Sequence, residues 1–407
     1  MANRYELWQN AWRPEPHTPL TVELPADWDS CLYDMEADRI PPLTEEQLRE
    51  TLRNPLGSPP IRELARRGRT AVIVFDDMSR GTPVAPLAHL VLEELEAGGI
   101  SGDQVRFLCA LGNHAPLTRE DFVKKLGEDI VERYAIYNHN PFEHLVKVGV
   151  DSAGADVLVN REYMACDVRI GIGACSPHPM NGFSGGGKLL FPSIAGIQTT
   201  LANHKRREFS VFSTEPCGLR RDIEAMTRMT GPFFKIDAIL NAKLDIVDVY
   251  AGDAVEEHRH AMEASRRLNA LHRQGEKKDV VVVNANAKYN EALIAVRIGN
   301  MELKEGGDLV LINHCPAGQV THYLYSAFGR DYGGGCWTDW STRPRSPAGR
   351  IIYYTPYPDV TSRYSVNEPD KIVFAKTWEQ VLGLLSGHGP GTTAAVISDG
   401  TLSYFPR

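Results

Sequence analysis

Five short runs of apolar, mostly β-branched residues punctuate the chain: residues 70–75 (TAVIVF), 105–111 (VRFLCAL), 168–173 (VRIGIG), 279–283 (DVVVV) and 308–312 (DLVLI). Runs this apolar predict strands covered on both faces, as in parallel sheets. Polar segments of helical character fill the intervals. Thr44-Glu45-Glu46-Gln47 is a capping-box pattern that opens a helix before Asn54-Pro55. Thr118, with Asp121 at the third helical position, predicts a second capped helix through Glu132. Residues 251–274 are charged and helix-prone, end near Gly275, and read as a connector. The alternation predicts an α/β protein of two α/β domains with mainly parallel sheets and an active-site cleft between them. Residues 1–275 would form the catalytic, cofactor-binding part and 276–407 a C-terminal α/β domain, with the last residues free to return to the first. Residues 329–348, rich in Gly, Trp and Pro, predict a long loop.

Composition narrows the class. The 407 residues are 43% hydrophobic and 24% charged, ordinary values for globular domains with a real core. The formal net charge of -8 is the wrong sign for a nucleic-acid binder. No apolar run reaches the length of a membrane span, and the first residues lack the core of a signal peptide. The seven cysteines are scattered and form no C-x-x-C, which argues against a disulfide framework or a cysteine zinc site and makes a reducing cytoplasm the expected home.

Ligands of open α/β sheets bind at the carboxyl ends of strands. By position Asp77, Arg80, His114, His178 and His314 all qualify. A further stretch, Gly182 to Lys188 (GFSGGGK), fits the first seven positions of a phosphate-binding P-loop. A P-loop needs Ser or Thr next and then a helix, whereas Leu189 follows here and Pro192 comes four residues after the lysine. Those glycines and that lysine therefore point away from a nucleoside-triphosphate site.

The wider block is His178-Pro179-Met180-Asn181, GFSGGGK, Leu189-Leu190-Phe191-Pro192, and later Asn203-His204, with intervals of ten residues from His178 to Lys188 and sixteen from Lys188 to His204. It closely resembles the core motif of the nickel-pincer-nucleotide lactate racemase family. Asp77-Met78-Ser79-Arg80 with Pro83 resembles the family's D-x-T/S-R-x-x-P, and Gly112-Asn113-His114 falls where the family has G-T-H-R. Asn160-Arg161-Glu162 and residues 249–253 also have counterparts, so the resemblance covers most of residues 15–320.

The resemblance implies a lysine-tethered nickel-pincer nucleotide, a pyridinium thioamide-thiocarboxylate mononucleotide, attached at Lys188. Ser184, Gly185, Gly186 and Asp77 would serve that cofactor. His204 would be the protein ligand to nickel, an imidazole suited to Ni(II). His114 and His178 match the two catalytic bases, and Arg80 would clamp the substrate carboxylate. The implied reaction is racemisation or epimerisation at C2 of a small 2-hydroxy acid, with cofactor-making enzymes as partners and no nucleic acid or membrane.

The chain also departs from the family. Ala115 replaces the arginine of G-T-H-R, and the C-terminal segment that carries a substrate-binding glutamine and lysine aligns with Ile294 and Arg297. Arg297 or Lys288 would then meet a second carboxylate or a sugar-acid hydroxyl, making lactate itself doubtful. Trp337 and Trp340 are further pocket candidates. Two other readings stay open: a divalent-metal lyase or hydrolase using His114, His178 and His204, and a non-catalytic cofactor-binding paralogue.

Overall fold

In the computed structural model, residues 3–9, 19–205, 212–213, 215–324, 345–364 and 368–406 are described. Trp337 and Trp340 lie outside them, as does all but the end of the 329–348 loop. The chain divides into two units. One comprises Met1–Arg39, Asn241–Leu244 and Asn269–Arg407, and the other Ile40–Leu240 and Asp245–Leu268.

The second unit is built on a six-stranded sheet. Its strands run, across the sheet, Ile246–Asp253, Phe234–Leu240, Val168–Ala174, Ala71–Asp76, Val105–Ala110 and Ala135–Asn138. All neighbours are parallel except Ile246–Asp253, which is antiparallel to Phe234–Leu240. Every residue of Ala71–Asp76 is buried, as its unbroken apolar run requires. The adjacency has a direct consequence. Val168–Ala174, Ala71–Asp76 and Val105–Ala110 lie side by side in parallel, so the residues after each emerge at the same sheet edge. Those residues are His178, Asp77 with Arg80, and His114.

Below that edge, Leu189, Leu190, Phe191 and Ile194 join Val72, Val74 and Leu108 in one buried core cluster. Leu190, Phe191 and Ile194 are at most 1% exposed, and each buried side chain of this size contributes roughly 1.5–3 kcal/mol. The segment after Lys188 is therefore an anchor in the core.

The first unit has a six-stranded, wholly parallel sheet in the order Ile372–Ala375, Arg350–Tyr354, Leu303–Ile312, Lys278–Asn284, Thr393–Ile397, Asp29–Tyr33. Here the division expected at residue 275 needs correction. The first 39 residues belong with the C-terminal part, because Asp29–Tyr33 pairs with Thr393–Ile397 as the edge strand. Near the end of the chain Tyr404 bridges to Ala270 within this same unit. An edge strand only partly buried carries too weak an apolar pattern to announce its partner.

Two helix expectations are also revised. Residues 251–253 finish the strand Ile246–Asp253, and the helix that follows is Glu256–Leu268. The segment after Thr118 forms two helices, Arg119–Leu126 and Glu128–Arg133, broken at Gly127, whose φ is +90°. Both capping boxes, at Thr44 with Gln47 and at Thr118 with Asp121, form as read.

Candidate functional site

The turn after Ala71–Asp76 is organised by one carboxylate. Asp77 Oδ1 accepts from the Ser79 backbone N–H at 3.0 Å and from Ser79 Oγ at 2.5 Å, while Oδ2 receives His114 Nδ1 at 2.6 Å. Arg80 Nη1 donates to Ser79 Oγ at 2.8 Å and to the Ser79 carbonyl at 2.9 Å. Arg80, Ser79, Asp77 and His114 thus form one continuous network. Burial alone would raise the Asp77 pKa, but His114, Arg80 and the Ser79 hydroxyl outweigh it and hold the carboxyl well below its usual range. An ionised carboxylate can only accept, so His114 carries a proton on Nδ1, directed at Asp77.

A residue that spacing did not point to supports this turn. Lys125, on the helix Arg119–Leu126, has a fully buried side chain. Its ammonium donates to the backbone carbonyls of Asp77 at 3.1 Å and Arg80 at 2.8 Å, and lies 2.7 Å from Asp76 Oδ1. Thr82 Oγ1 donates to the other Asp76 oxygen at 2.5 Å.

His178 stands on a two-residue hairpin that pairs Pro177-His178 with Gly182-Phe183. Its Nδ1 accepts the Met180 backbone N–H at 3.2 Å, so the proton of the neutral ring is on Nε2. His114 and His178 therefore use Nδ1 in opposite ways, one as a donor and the other as an acceptor. Ser184 closes the hairpin: its backbone N–H donates to Ser176 O at 2.7 Å, and its Oγ accepts from Ser176 N and donates to Ala174 O. The Ser184 hydroxyl is engaged by the protein's own backbone, which gives it a part in shaping the loop.

Gly185 and Gly186 sit at φ +91° and +57°, and Gly186–Leu189 is a short 3-10 turn that carries Lys188. A Cβ on Gly186 would lie 2.8 Å from Ala254 O and from His258 Cβ, and one on Gly185 would run into the Asp237 carboxylate. The space beside these glycines is filled by protein side chains, so they are required by the fold of the turn itself.

Lys188 is half-buried and its backbone carbonyl accepts from Ser193 Oγ at 3.0 Å. Ser193 O in turn accepts the Gly112 N–H at 2.8 Å, which seats the Gly112–His114 loop on the Lys188–Ser193 loop. His204 is near the end of the helix Ile197–Lys205, and its Nδ1 donates to Thr200 O at 3.0 Å. Burial, and then the charge of Lys188, push its pKa down to about 4, so at neutral pH the ring is uncharged with the lone pair on Nε2. That form is the one a metal ion binds. The Thr200 carbonyl is the outer partner of His204.

Asp77, Arg80, His114, His178, Lys188 and His204 thus lie in one unit, with the Asp77 turn bonded to His114 and the Gly112 loop bonded to the loop after Lys188. Arg297, on the helix Leu293–Glu302, and Lys288, 2% exposed, belong to the other unit, as does His314, whose ring stands edge-on to Tyr354. Among the described residues, no group of three or more His, Cys, Asp and Glu side chains is set to hold a metal ion. No helix among them is long and apolar enough to cross a membrane.

Comparison with known proteins agrees with this picture. The family profile of the lactate racemase N-terminal domain matches residues 17–213. The lactate racemase of Lactiplantibacillus plantarum is 30% identical over 238 residues, 56% of this chain and 55% of that protein, so the match spans about half of the relative. The lactate racemase of Thermoanaerobacterium thermosaccharolyticum is 24% identical over 336 residues, 75% of this chain and 77% of the relative. The solved lactate racemase apoprotein from the same organism shares the fold, with a TM-score of 0.73 at 20% identity over 99% of this chain and 100% of that one. A Thermotoga maritima protein of known crystal structure shares it at a TM-score of 0.61 and 17% identity, over 89% of this chain and 98% of that one. Residues 17–213 thus match the lactate racemase N-terminal domain, and the chain is similar to lactate racemases in sequence and in fold.

Proposed function

We propose that this chain is an isomerase, a racemase or epimerase that inverts C2 of a 2-hydroxy acid other than lactate. The observation that carries the proposal is the pair of differently fixed histidines on loops bonded to the Lys188 turn. The residues suit the implied cofactor. Lys188 offers an amine for covalent attachment, and His204 offers a neutral imidazole oriented through Thr200 O. A site made only of protein donors would need a larger ligand set than the described residues provide, whereas a tethered nickel-pincer nucleotide asks for a single imidazole. When bound, that group supplies the electrophilic carbon that accepts a hydride from C2 and gives it back.

The rest is the work of the chain. Arg80, steadied by Ser79, receives the substrate carboxylate through its guanidinium fork. His114 takes the hydroxyl proton at Nε2, and Asp77 stabilises the resulting imidazolium through Nδ1–H. His178, whose Nδ1 accepts the Met180 N–H, offers Nε2–H as a hydrogen-bond donor to the same oxygen from the other side, and the proton held on His114 returns to that oxygen. Such groups contribute on the order of a hundred- to ten-thousandfold each. Ile294 and Arg297, which stand where the resemblance would have a glutamine and a lysine, are the departures that favour a substrate other than lactate.

The test is intact-protein and peptide mass spectrometry after co-expression with cofactor-making enzymes. The peptide containing Lys188 should gain the adduct mass, with about one nickel per chain, and Lys188→Ala should lose both. Screening D/L pairs of 2-hydroxy acids carrying deuterium at C2 should reveal inversion. Inversion supported by zinc or manganese in an adduct-free chain would refute the proposal.

A further inference from the structure

Beneath the Lys188 turn lies a cluster of buried charges that the proposed chemistry does not use. Arg220, on the helix Gly218–Met229, is 4% exposed, and Lys235 and Asp237, on the strand Phe234–Leu240, are 0% exposed. Asp237 Oδ2 accepts the Gly186 backbone N–H at 2.6 Å, and its Oδ1 accepts from Lys235 Nζ at 2.5 Å. From the opposite side Arg220 Nη1 donates to the Gly185 carbonyl at 3.2 Å, and Nη2 donates to the Phe183 carbonyl.

The Gly185 carbonyl and the Gly186 N–H are the two polar ends of a single peptide group. A buried cation holds one end and a buried anion the other. A peptide plane between two glycines, both at positive φ, has little of its own to fix its orientation. The two charges supply what the glycines lack. Burial by itself would raise the Asp237 pKa, but Lys235 and then His258 overcome this, so the acceptor stays ionised. Hydrogen bonds to charged groups are the strong ones, and in a water-excluded site they are stronger still.

We propose that Arg220 and Asp237 are positioning residues, a clamp on the 185–186 peptide that fixes the direction in which Lys188 leaves its turn. The inference rests on the reading of Lys188 as the attachment point only for its second readout. The clamp sits two and three residues before the lysine, and the buried Leu189–Phe191 segment holds the chain just after it. Lys188 is thereby fixed from both directions.

The experiment uses the full chain as purified, and compares wild type with Asp237→Asn and Arg220→Lys. The first variant keeps the shape but loses the charge of the Gly186 acceptor. The second keeps the charge but cannot reach both carbonyls. Hydrogen exchange read by mass spectrometry should rise roughly tenfold or more across residues 183–191, the loss expected for a charged hydrogen bond. Exchange at Val280–Val283, in the other unit, should stay unchanged. In a second arm, co-expression with cofactor-making enzymes should give a lower fraction of Lys188 carrying the adduct in both variants. Equal exchange across 183–191 in wild type and variants would overturn the clamp. So would a parallel rise everywhere, or failure of both variants to fold, either of which makes the pair an ordinary core element. If only Asp237→Asn fails to fold, Arg220→Lys decides. If wild type takes no adduct at all, the attachment reading falls while the exchange result still judges the clamp.

Discussion

Gly187 provides a quantitative test of how tightly the Lys188 turn is built. A Cβ added there would lie less than 3.0 Å from Thr227 Oγ1, 3.1 Å from Thr227 Cβ and 3.4 Å from Ile223 Cγ2. Thr227 has little freedom to yield, since it is 4% exposed and its hydroxyl donates to Ile223 O at 2.7 Å. Gly187→Ala therefore overpacks a filled site and should cost about 1–3 kcal/mol. Most of the conflict is with a single oxygen. Thr227→Ala removes it, and the remaining Cβ and Ile223 contacts are tight but tolerable. Taken alone, Thr227→Ala should cost about 1 kcal/mol for its lost hydrogen bond and packing. The double variant should then be more stable than the sum of the singles by about 1–2 kcal/mol, a coupling large enough to read in a mutant cycle. Denaturant unfolding of the four proteins, with coincident probes to check for a single transition, gives the numbers. Strict additivity, or a Gly187→Ala chain as stable as wild type, would refute the packing argument.

Three further outcomes follow from the site and its supports. His139 is 3% exposed, donates from Nε2 to Ala195 O at 3.0 Å, and burial lowers its pKa from 6.5 to about 4. The unfolded chain thus binds this proton first, and stability is lost as pH falls from about 6.5 toward 4, by about 3 kcal/mol from this residue. Melting curves should show a shallower acid slope for His139→Asn than for wild type, and identical slopes would contradict it. Asp77→Asn turns an acceptor into a donor toward His114 Nδ1 and should lower kcat by roughly a hundred- to ten-thousandfold with little change in KM, measured by inversion of the substrate's optical activity. An unchanged kcat would remove His114 from its role. Arg80→Lys loses the planar fork and should raise KM roughly ten- to hundredfold in the same assay, whereas an unaltered KM would place the carboxylate elsewhere.

Much of this was readable before any coordinates. The unbroken apolar runs announced buried parallel strands, and the residues at the His178, Lys188 and His204 intervals all fall within one unit. The partners of those residues were harder to see. Thr200 lies one helical turn before His204, but its contribution is a carbonyl, and no side-chain motif betrays a backbone acceptor. Arg220 and Asp237 are 35 and 51 residues from the glycines they hold, so no local spacing reveals them. One clue was present: Lys235 and Asp237 are two charges on the same face of an otherwise apolar strand, a pattern that only mutual pairing makes tolerable. The placement of the first 39 residues was out of reach for a different reason. Parallel pairing joins segments far apart in sequence, and Asp29–Tyr33 and Thr393–Ile397 stand at opposite ends of the chain.

The burial of Leu189, Leu190 and Phe191 has a mechanical consequence. A lysine at the tip of an exposed hairpin can swing a tethered group between stations, as a delivery arm does. Lys188 leaves from a turn whose next three residues are set in the hydrophobic interior, so its backbone cannot travel. Whatever is joined to that amine is mounted on a fixed post, and reactants have to be brought to it.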